Sequence, residues 1–230
     1  MENERHYRHE LKYPISYSDY LAVRNRLRVI MKKDIHVSSD GLYHTRSIYF
    51  DNTEDKALRE KVDGIEKREK FRIRYYNDDL SFIVLEKKMK ISNLCLKYDA
   101  ELTEDKFRKI LNGDLKWMKN DQDELIREFY AKLKYQRLKP KVMVSYTREP
   151  YVYDAGNVRI TFDSQIRTSL FQKDFLDKGI NDINATEFGN EIILEVKYDA
   201  FLPGVIQDLI QVKGIRQQAF SKYSACRSFG

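Results

Sequence analysis

The stretch KREKFRIRYYNDD, residues 67–79, alternates as a strand does. Lys70, Arg72 and Arg74 fall on one side, and Phe71, Ile73 and Tyr75 on the other. Four further stretches repeat the arrangement. YRHELKY sets Arg8, Glu10 and Lys12 against Tyr7, His9, Leu11 and Tyr13, and SFIVLEKKMK sets Glu86 and Lys88 against Ile83, Leu85 and Met89. NVRITFD sets Arg159, Thr161 and Asp163 against Val158, Ile160 and Phe162, while EIILEVKY sets Glu195 and Lys197 against Ile192, Leu194, Val196 and Tyr198. A merely solvated sheet face intersperses both charge signs with Thr, Ser and Gln; here Arg8, Lys12, Arg72, Arg74, Lys88, Arg159 and Lys197 outnumber Glu10, Glu86, Asp163 and Glu195. If such strands curl, the charged faces line a channel, whose repulsion and desolvation cost is offset only by an anionic ligand. Guanidinium groups grip phosphoryl oxygens in bidentate fashion and ammonium groups add compact charge, so a linear phosphate chain suits the channel. Glu195, among cations, is suited to hold Mg²⁺ or Mn²⁺ that also contacts phosphate.

Strand-like alternation at about 6–13, 43–50, 70–76, 81–90, 95–102, 141–148, 157–163 and 191–198 supplies about eight strands, enough for a closed antiparallel β-barrel tunnel. Helical periodicity over 18–32 gathers Leu21, Leu27, Ile30 and Met31, and over 122–138 Leu125, Ile126, Phe129, Tyr130 and Leu133. Pro203 and Gly214 bracket a third helix, and a last one is expected over 215–226. The reading is α+β, with helices around the outside of the barrel. Residues 175–190 read as a surface loop or short helix. With no linker and no internal repeat, residues 1–230 read as a single domain.

A net charge of +6 and a pI near 9.0 are modest, so the placing of the cations matters more than their sum. No apolar run approaches the roughly 20 residues a membrane helix needs, and MENERHYRHELKY has no apolar signal region, so a cytoplasmic protein without an intrinsic membrane segment is expected. Cys95 and Cys226 read as reduced thiols. His6, His9, His36 and His44 have no zinc spacing, and Walker, GxGxxG and nucleophile-elbow motifs are missing. The 16 tyrosines fall mostly at packing positions and no RRM or helix-turn-helix signature is present, so nucleic acid is not expected as a partner. Arg68 and Lys70 in EKREK share the side of Arg72 and could steer polyanions to a tunnel mouth.

The ordered set RHELKY, RSIYFDN, FRIRYY, LEKKMK, YTREPY, VRITFD, ILEVKY and FSKY, across nearly the whole chain, resembles the VTC domain, the polyphosphate polymerase module of the CYTH-like triphosphate tunnel metalloenzymes. The resemblance implies a β-barrel tunnel that binds triphosphate, pyrophosphate or polyphosphate with a divalent metal, Mn²⁺ or Mg²⁺, and polymerises the γ-phosphoryl groups of ATP. Residue by residue, it implies that Arg8 and Lys12 sit in the first tunnel strand. Arg72 and Arg74 would bind phosphoryl groups, with Lys88, Lys97, Arg148 and Arg159 as further ligands. Arg72, Arg74, Arg148, Arg159 and Glu195 would form the catalytic set. Glu195 resembles the metal-binding carboxylate, Lys197 its neighbour, and Lys222 a basic residue at a tunnel end. Where the cyclase and thiamine-triphosphatase branch begins with ExExK, the spacing here reads Arg8, Glu10, Lys12, which favours the VTC branch. Hydrolysis of triphosphate or nucleoside triphosphate, and non-catalytic polyphosphate binding, need the same basic tunnel and stay open on sequence.

Overall fold

Alternating apolar and charged residues build long strands, and the computed structural model joins them into one antiparallel sheet. It describes residues 7–35, 37–92, 94–169, 175, 182–185 and 191–228. The strands are β1 (His9–Ile15), β2 (Lys32–Lys33), β3 (Tyr43–Asp51), β4 (Lys67–Tyr76), β5 (Asp79–Ile91), β6 (Leu94–Leu102), β7 (Lys139–Tyr153), β8 (Val158–Ser169), β9 (Ile183–Asn184) and β10 (Ile192–Tyr198). The eight long strands run in the order β1-β10-β8-β7-β3-β4-β5-β6, with β2 paired to β7 and β9 to β8. The sheet is not closed into the expected barrel by a ladder. Its edge strands meet at one bridge, where Arg8 N donates to Cys95 O at 3.3 Å and Cys95 N to Arg8 O at 3.4 Å.

Six helices accompany the sheet among the described residues: α1 (Tyr17–Ile30), α2 (Lys56–Val62), α3 (Glu104–Leu111), α4 (Glu124–Tyr135), α5 (Gly204–Ile210) and α6 (Lys222–Arg227). None is long and apolar enough to cross a membrane. The apolar strand faces bury Phe71, Ile73, Tyr75, Ile83 and Leu85 with Phe107 of α3 and Ile126 and Phe129 of α4. Val158, Ile160, Phe162, Leu194 and Val196 form a second layer with Val23 and Leu27 of α1 and Ile206 of α5. A third cluster lies on the charged face. There Tyr49, Val142, Val144, Tyr146 and Ile193 pack against Ala57 of α2 and Tyr223 and Cys226 of α6.

Several sequence expectations shift. On α1 the buried residues are Val23 and Leu27, with Met31 buried just past its end, whereas Leu21 and Ile30 are exposed. The helix expected over 215–226 is confined to α6, because Gln218 N donates to Lys12 O on edge strand β1 at 2.9 Å and so draws the preceding chain along the strand instead of into a helix. Helices α2 and α3 were not anticipated, although Thr103, accepting from Lys106 N ahead of Glu104 and Asp105, is an ordinary helix start. Of 175–190 only 175 and 182–185 are described, and Ile183–Asn184 pair with Arg167 and Thr168. His6 and His36 lie outside the described residues.

α1 is held to the sheet by one buried carboxylate. Glu149 accepts from Tyr20 OH and Tyr151 OH, each at 2.7 Å, from Arg24 Nε at 2.9 Å and from Lys33 Nζ at 3.2 Å. Burial works to raise its pKa, but the donors outweigh burial and hold it below the usual value. Its stabilising effect is therefore present above the unfolded carboxyl pKa of about 4.3 and lost as pH falls through the folded value. Glu149→Ala should cost about 2–4 kcal/mol and lower the thermal midpoint by roughly 5–15 °C at neutral pH. A calorimetric shift under about 2 °C would show that the clamp contributes little.

Candidate polyanion site

Strands β1, β3, β4, β5, β6, β7 and β10, helix α2 and the chain from Gln217 to Tyr223 bound a cavity of about 350 Å³ on the charged face. Eleven lysines and arginines line it, against the carboxylates of Glu10 and Glu195. Strand alternation places them: every second residue of β4 and β7 turns to this face while its neighbours enter the apolar layers.

Three groups of carboxylates organise the cations. Glu86, 1% exposed, takes Arg72, Arg74 at 3.5 Å and Lys97 at 2.8 Å. Burial works against its charge, yet Arg72, Arg74 and Lys97 hold it well below the usual carboxylate range. Arg72 also donates to Tyr49 OH at 2.9 Å, and Arg74 to Ser47 Oγ and Tyr146 OH, both at 3.2 Å. Asp163, fully buried, accepts both arms of Arg148 at 2.6 and 2.7 Å and also takes Lys222. In the third group Glu10 pairs with Lys88 at 2.5 Å and Lys12 at 3.0 Å. Glu195 there lies 2.8 Å from Lys197, 3.5 Å from Lys12 and 3.9 Å from Arg148. Burial lowers the Lys197 ammonium against the pull of Glu195 and Glu10, whereas for Lys12 the same two carboxylates outweigh burial and raise it.

Of the residues expected from the sequence, Lys12, Arg72, Arg74, Lys88, Arg148, Lys197, Lys222 and Glu195 line this cavity. Lys97 is half exposed and bound to Glu86 and to Asp99 at 2.9 Å. Arg8 and Arg159 are not among the lining residues. Arg8 is drawn to Asp199 at 2.8 Å and to the Asn157 carbonyl, and Arg159 to Asp34 at 2.8 Å and Tyr43 OH at 3.0 Å. Sequence reasoning assigned no role to Tyr49, Tyr146 or Lys61, which also line it, and tallied Glu86 and Asp163 only as charges. Their alternation with the cations was the available signal for the two acids; Lys61, on a seven-residue helix, offered none.

Among the described residues no three His, Cys, Asp or Glu side chains are grouped to hold a metal ion. A closed protein cage is therefore not built. A hard cation that keeps waters and shares phosphoryl oxygens needs only one or two carboxylates, and Glu195, with its partners farther off than those of Asp163, fits that donor set.

The site is thus one face of an antiparallel sheet whose buried cations converge on a single cavity. The VTC domain model matches residues 7–229, and the chain belongs to that family. Among solved structures, a candidate adenylate cyclase from Bacillus halodurans is similar in fold, with a TM-score of 0.50 at 14% identity over 82% of this chain and 78% of that one. The PH1819 protein of Pyrococcus horikoshii aligns at 17% identity over 89% and 84%, with a TM-score of 0.42. No curated protein matches the chain.

Tyr146 reports the field of the cavity. Burial works to raise its pKa, but Arg148, Arg74 and Lys222 outweigh burial and bring the hydroxyl down to about 8. One tyrosine should therefore ionise near pH 8 in an ultraviolet difference titration, the phenolate forming above that pH. The step should vanish in Tyr146→Phe and move upward when tripolyphosphate fills the cavity. A wild-type titration in which no tyrosine ionises below about 10 would contradict this field.

Proposed function

We propose that the 230 residues form one triphosphate-tunnel domain that transfers the γ-phosphoryl group of ATP to the end of a polyphosphate chain and releases ADP. The convergence of Arg72, Arg74, Arg148, Lys12 and Lys197 in one cavity carries the proposal, with the family match in support. In this reading the sheet edges close the tunnel around the ligand. The Arg8–Cys95 bridge and the Lys88–Glu10 ion pair, both linking β1 to the β5–β6 hairpin, support closure.

A terminal polyphosphate oxygen forms the new bond to the γ-phosphorus while the bond to the bridging oxygen of ADP breaks. Charge is spread over the phosphoryl oxygens in such a transition state, so positioning and electrostatics supply the catalysis. Arg72 and Arg74, fixed by Glu86, Tyr49, Ser47 and Tyr146, present guanidinium edges to those oxygens. Arg148 is fixed by Asp163 in the same way. Lys12 and Lys197 orient the chain, and Arg8, Lys97 and Arg159 serve at the periphery, guiding the polyanion without touching the reacting phosphorus. A divalent Mn²⁺ or Mg²⁺ held by Glu195 and phosphoryl oxygens would add charge stabilisation. ATP as donor accords with a cytoplasmic setting.

Purified protein with ATP and Mn²⁺ or Mg²⁺ should yield polymer on a gel together with ADP. Free phosphate without polymer would assign hydrolysis instead, and binding without turnover a non-catalytic module. Arg72→Ala with Arg74→Ala should weaken tripolyphosphate at least about a hundredfold by calorimetry, since each charge-assisted contact contributes about 1.5–3 kcal/mol. Unchanged affinity with normal circular dichroism would remove the cavity from the reading. Glu195→Gln should still bind polyphosphate but lose metal-dependent turnover by roughly a hundredfold or more. If Glu195 only relieves repulsion, the variant instead melts earlier while turnover at saturating metal and ATP stays near wild type.

A further inference from the structure

A second cavity, of about 530 Å³, lies on the opposite, apolar face of the sheet, between the start of α1 and strands β7, β8 and β10. Tyr17, Tyr20 and Phe162 give it an aromatic wall. Tyr20 meets Phe162 edge-on with ring centres 5.0 Å apart, and Tyr17, 63% exposed, is tilted against Tyr20 at 5.7 Å. Aromatic surface joined by a few convergent polar groups is the usual lining of a small-molecule site.

The polar groups are Thr147, Ser164, Gln165 and the Glu149 carboxylate. A β-bulge places Gln165: the β7–β8 register shifts between Ser145 and Thr147, and Gln165 takes a φ of 51°, a conformation that is costly for a residue with a side chain. Thr147 Oγ1 donates to Gln165 Oε1 at 3.0 Å and, with its one hydrogen so used, accepts from His44 Nδ1 at 3.1 Å. The carboxamide oxygen is therefore taken, while its NH₂ group has no partner among the described residues and is left to donate to an acceptor on a ligand. Glu149 already accepts from Tyr20, Tyr151, Arg24 and Lys33, so the cavity does not call for a cation. Two cations against one carboxylate leave a surplus positive charge. Arg24 uses only its Nε on Glu149, and its terminal nitrogens have no partner among the described residues. Such a charge suits one phosphate group and is too little for three.

We infer that this cavity binds a nucleoside monophosphate whose base carries a ring carbonyl. The base lies against Tyr17 and Tyr20, its carbonyl accepts from the Gln165 amide, and its phosphate meets the free edge of Arg24. An apolar side chain of a partner protein would use the rings alone and leave the amide and the guanidinium without a role. Among the described residues the site shares no lining residue with the polyanion cavity, so the inference goes beyond the phosphoryl-transfer reading and does not rest on it.

Calorimetry with GMP, guanosine, AMP and sodium tripolyphosphate tests the inference. Wild type should bind GMP, with guanosine and AMP at least about fivefold weaker, and saturating tripolyphosphate should leave GMP affinity unchanged. Tyr17→Ala removes an exposed ring, and Gln165→Gly removes the amide at a backbone angle that glycine takes freely, so neither should lower the thermal midpoint by more than about 2 °C. Each should weaken GMP about tenfold and leave tripolyphosphate binding as in wild type. No GMP binding at millimolar concentration, or GMP binding that both variants keep, overturns the inference. GMP that is displaced by tripolyphosphate, or lost in Arg72→Ala with Arg74→Ala, overturns it in favour of the polyanion cavity. GMP held no tighter than guanosine or AMP overturns the assignment of the ligand as a carbonyl-bearing monophosphate.

Discussion

Holding eleven cations around one cavity, nine of them on strands of the sheet, is the constraint to which the rest of the structure answers. Repulsion among them grows as water leaves, and each carboxylate on the face stands where it offsets the most. Glu86 faces Arg72, Arg74 and Lys97 at once, and Asp163 fixes Arg148 by both arms while taking Lys222. These acids also fix geometry, since a guanidinium held on one edge presents its other edge to a ligand without losing rotamer freedom on binding. Stability and preorganisation thus come from the same contacts.

The strands were legible because the sheet obeys a simple rule: one face is apolar and packs against α1, α3, α4 and α5, while the other carries the charges. Phe71, Ile73 and Tyr75 on one side of Arg72 and Arg74 gave both the element and its orientation, and their burial beside α3 and α4 follows. Alternation says which face a residue takes, but not how far along the strand the cavity extends. Arg8 and Arg159 have the right parity, yet Asp199 and Asp34 hold them at other positions on the face. Those acids lie far away in sequence or in loops, where no periodicity marks them. Periodicity placed Leu27 and Met31 correctly but not the full rotation of α1: Tyr20 and Arg24 are fixed by Glu149, a residue of β7, and this turns Val23 inward beside Leu27 and leaves Leu21 and Ile30 exposed.

Helix α6 shows how an end of the charged face is finished without exposing apolar surface. Tyr223 stacks on Tyr49 and donates to Asp51 Oδ2 at 2.6 Å, while Thr168 Oγ1 donates to the Cys226 carbonyl at 3.3 Å. Burial pushes the Cys226 thiol up to about 12, which keeps it an inert packing group. The same helix sends Lys222 to Asp163, so the plug and the cation cluster are one construction. Ser221 caps the helix by accepting from Ser224 N at 3.3 Å and also accepts from Lys70 of β4 at 3.5 Å, which ties the helix start to the sheet.

Lys12 shows why such a cavity can exchange partners when an anion arrives. Its ammonium lies 3.0 Å from Glu10 and 3.5 Å from Glu195, and it also donates to the Phe220 carbonyl at 3.1 Å. Three acceptors share one ammonium, so loss of any one still leaves it paired and the cost of turning toward a phosphoryl oxygen is small. Lys197 has one close acceptor, Glu195, and burial lowers its ammonium, so it gains more from a new anion. On the proposed reading, a phosphate chain that drew both ammonium groups would take from Glu195 its nearest counter-charges and so favour a cation at that carboxylate.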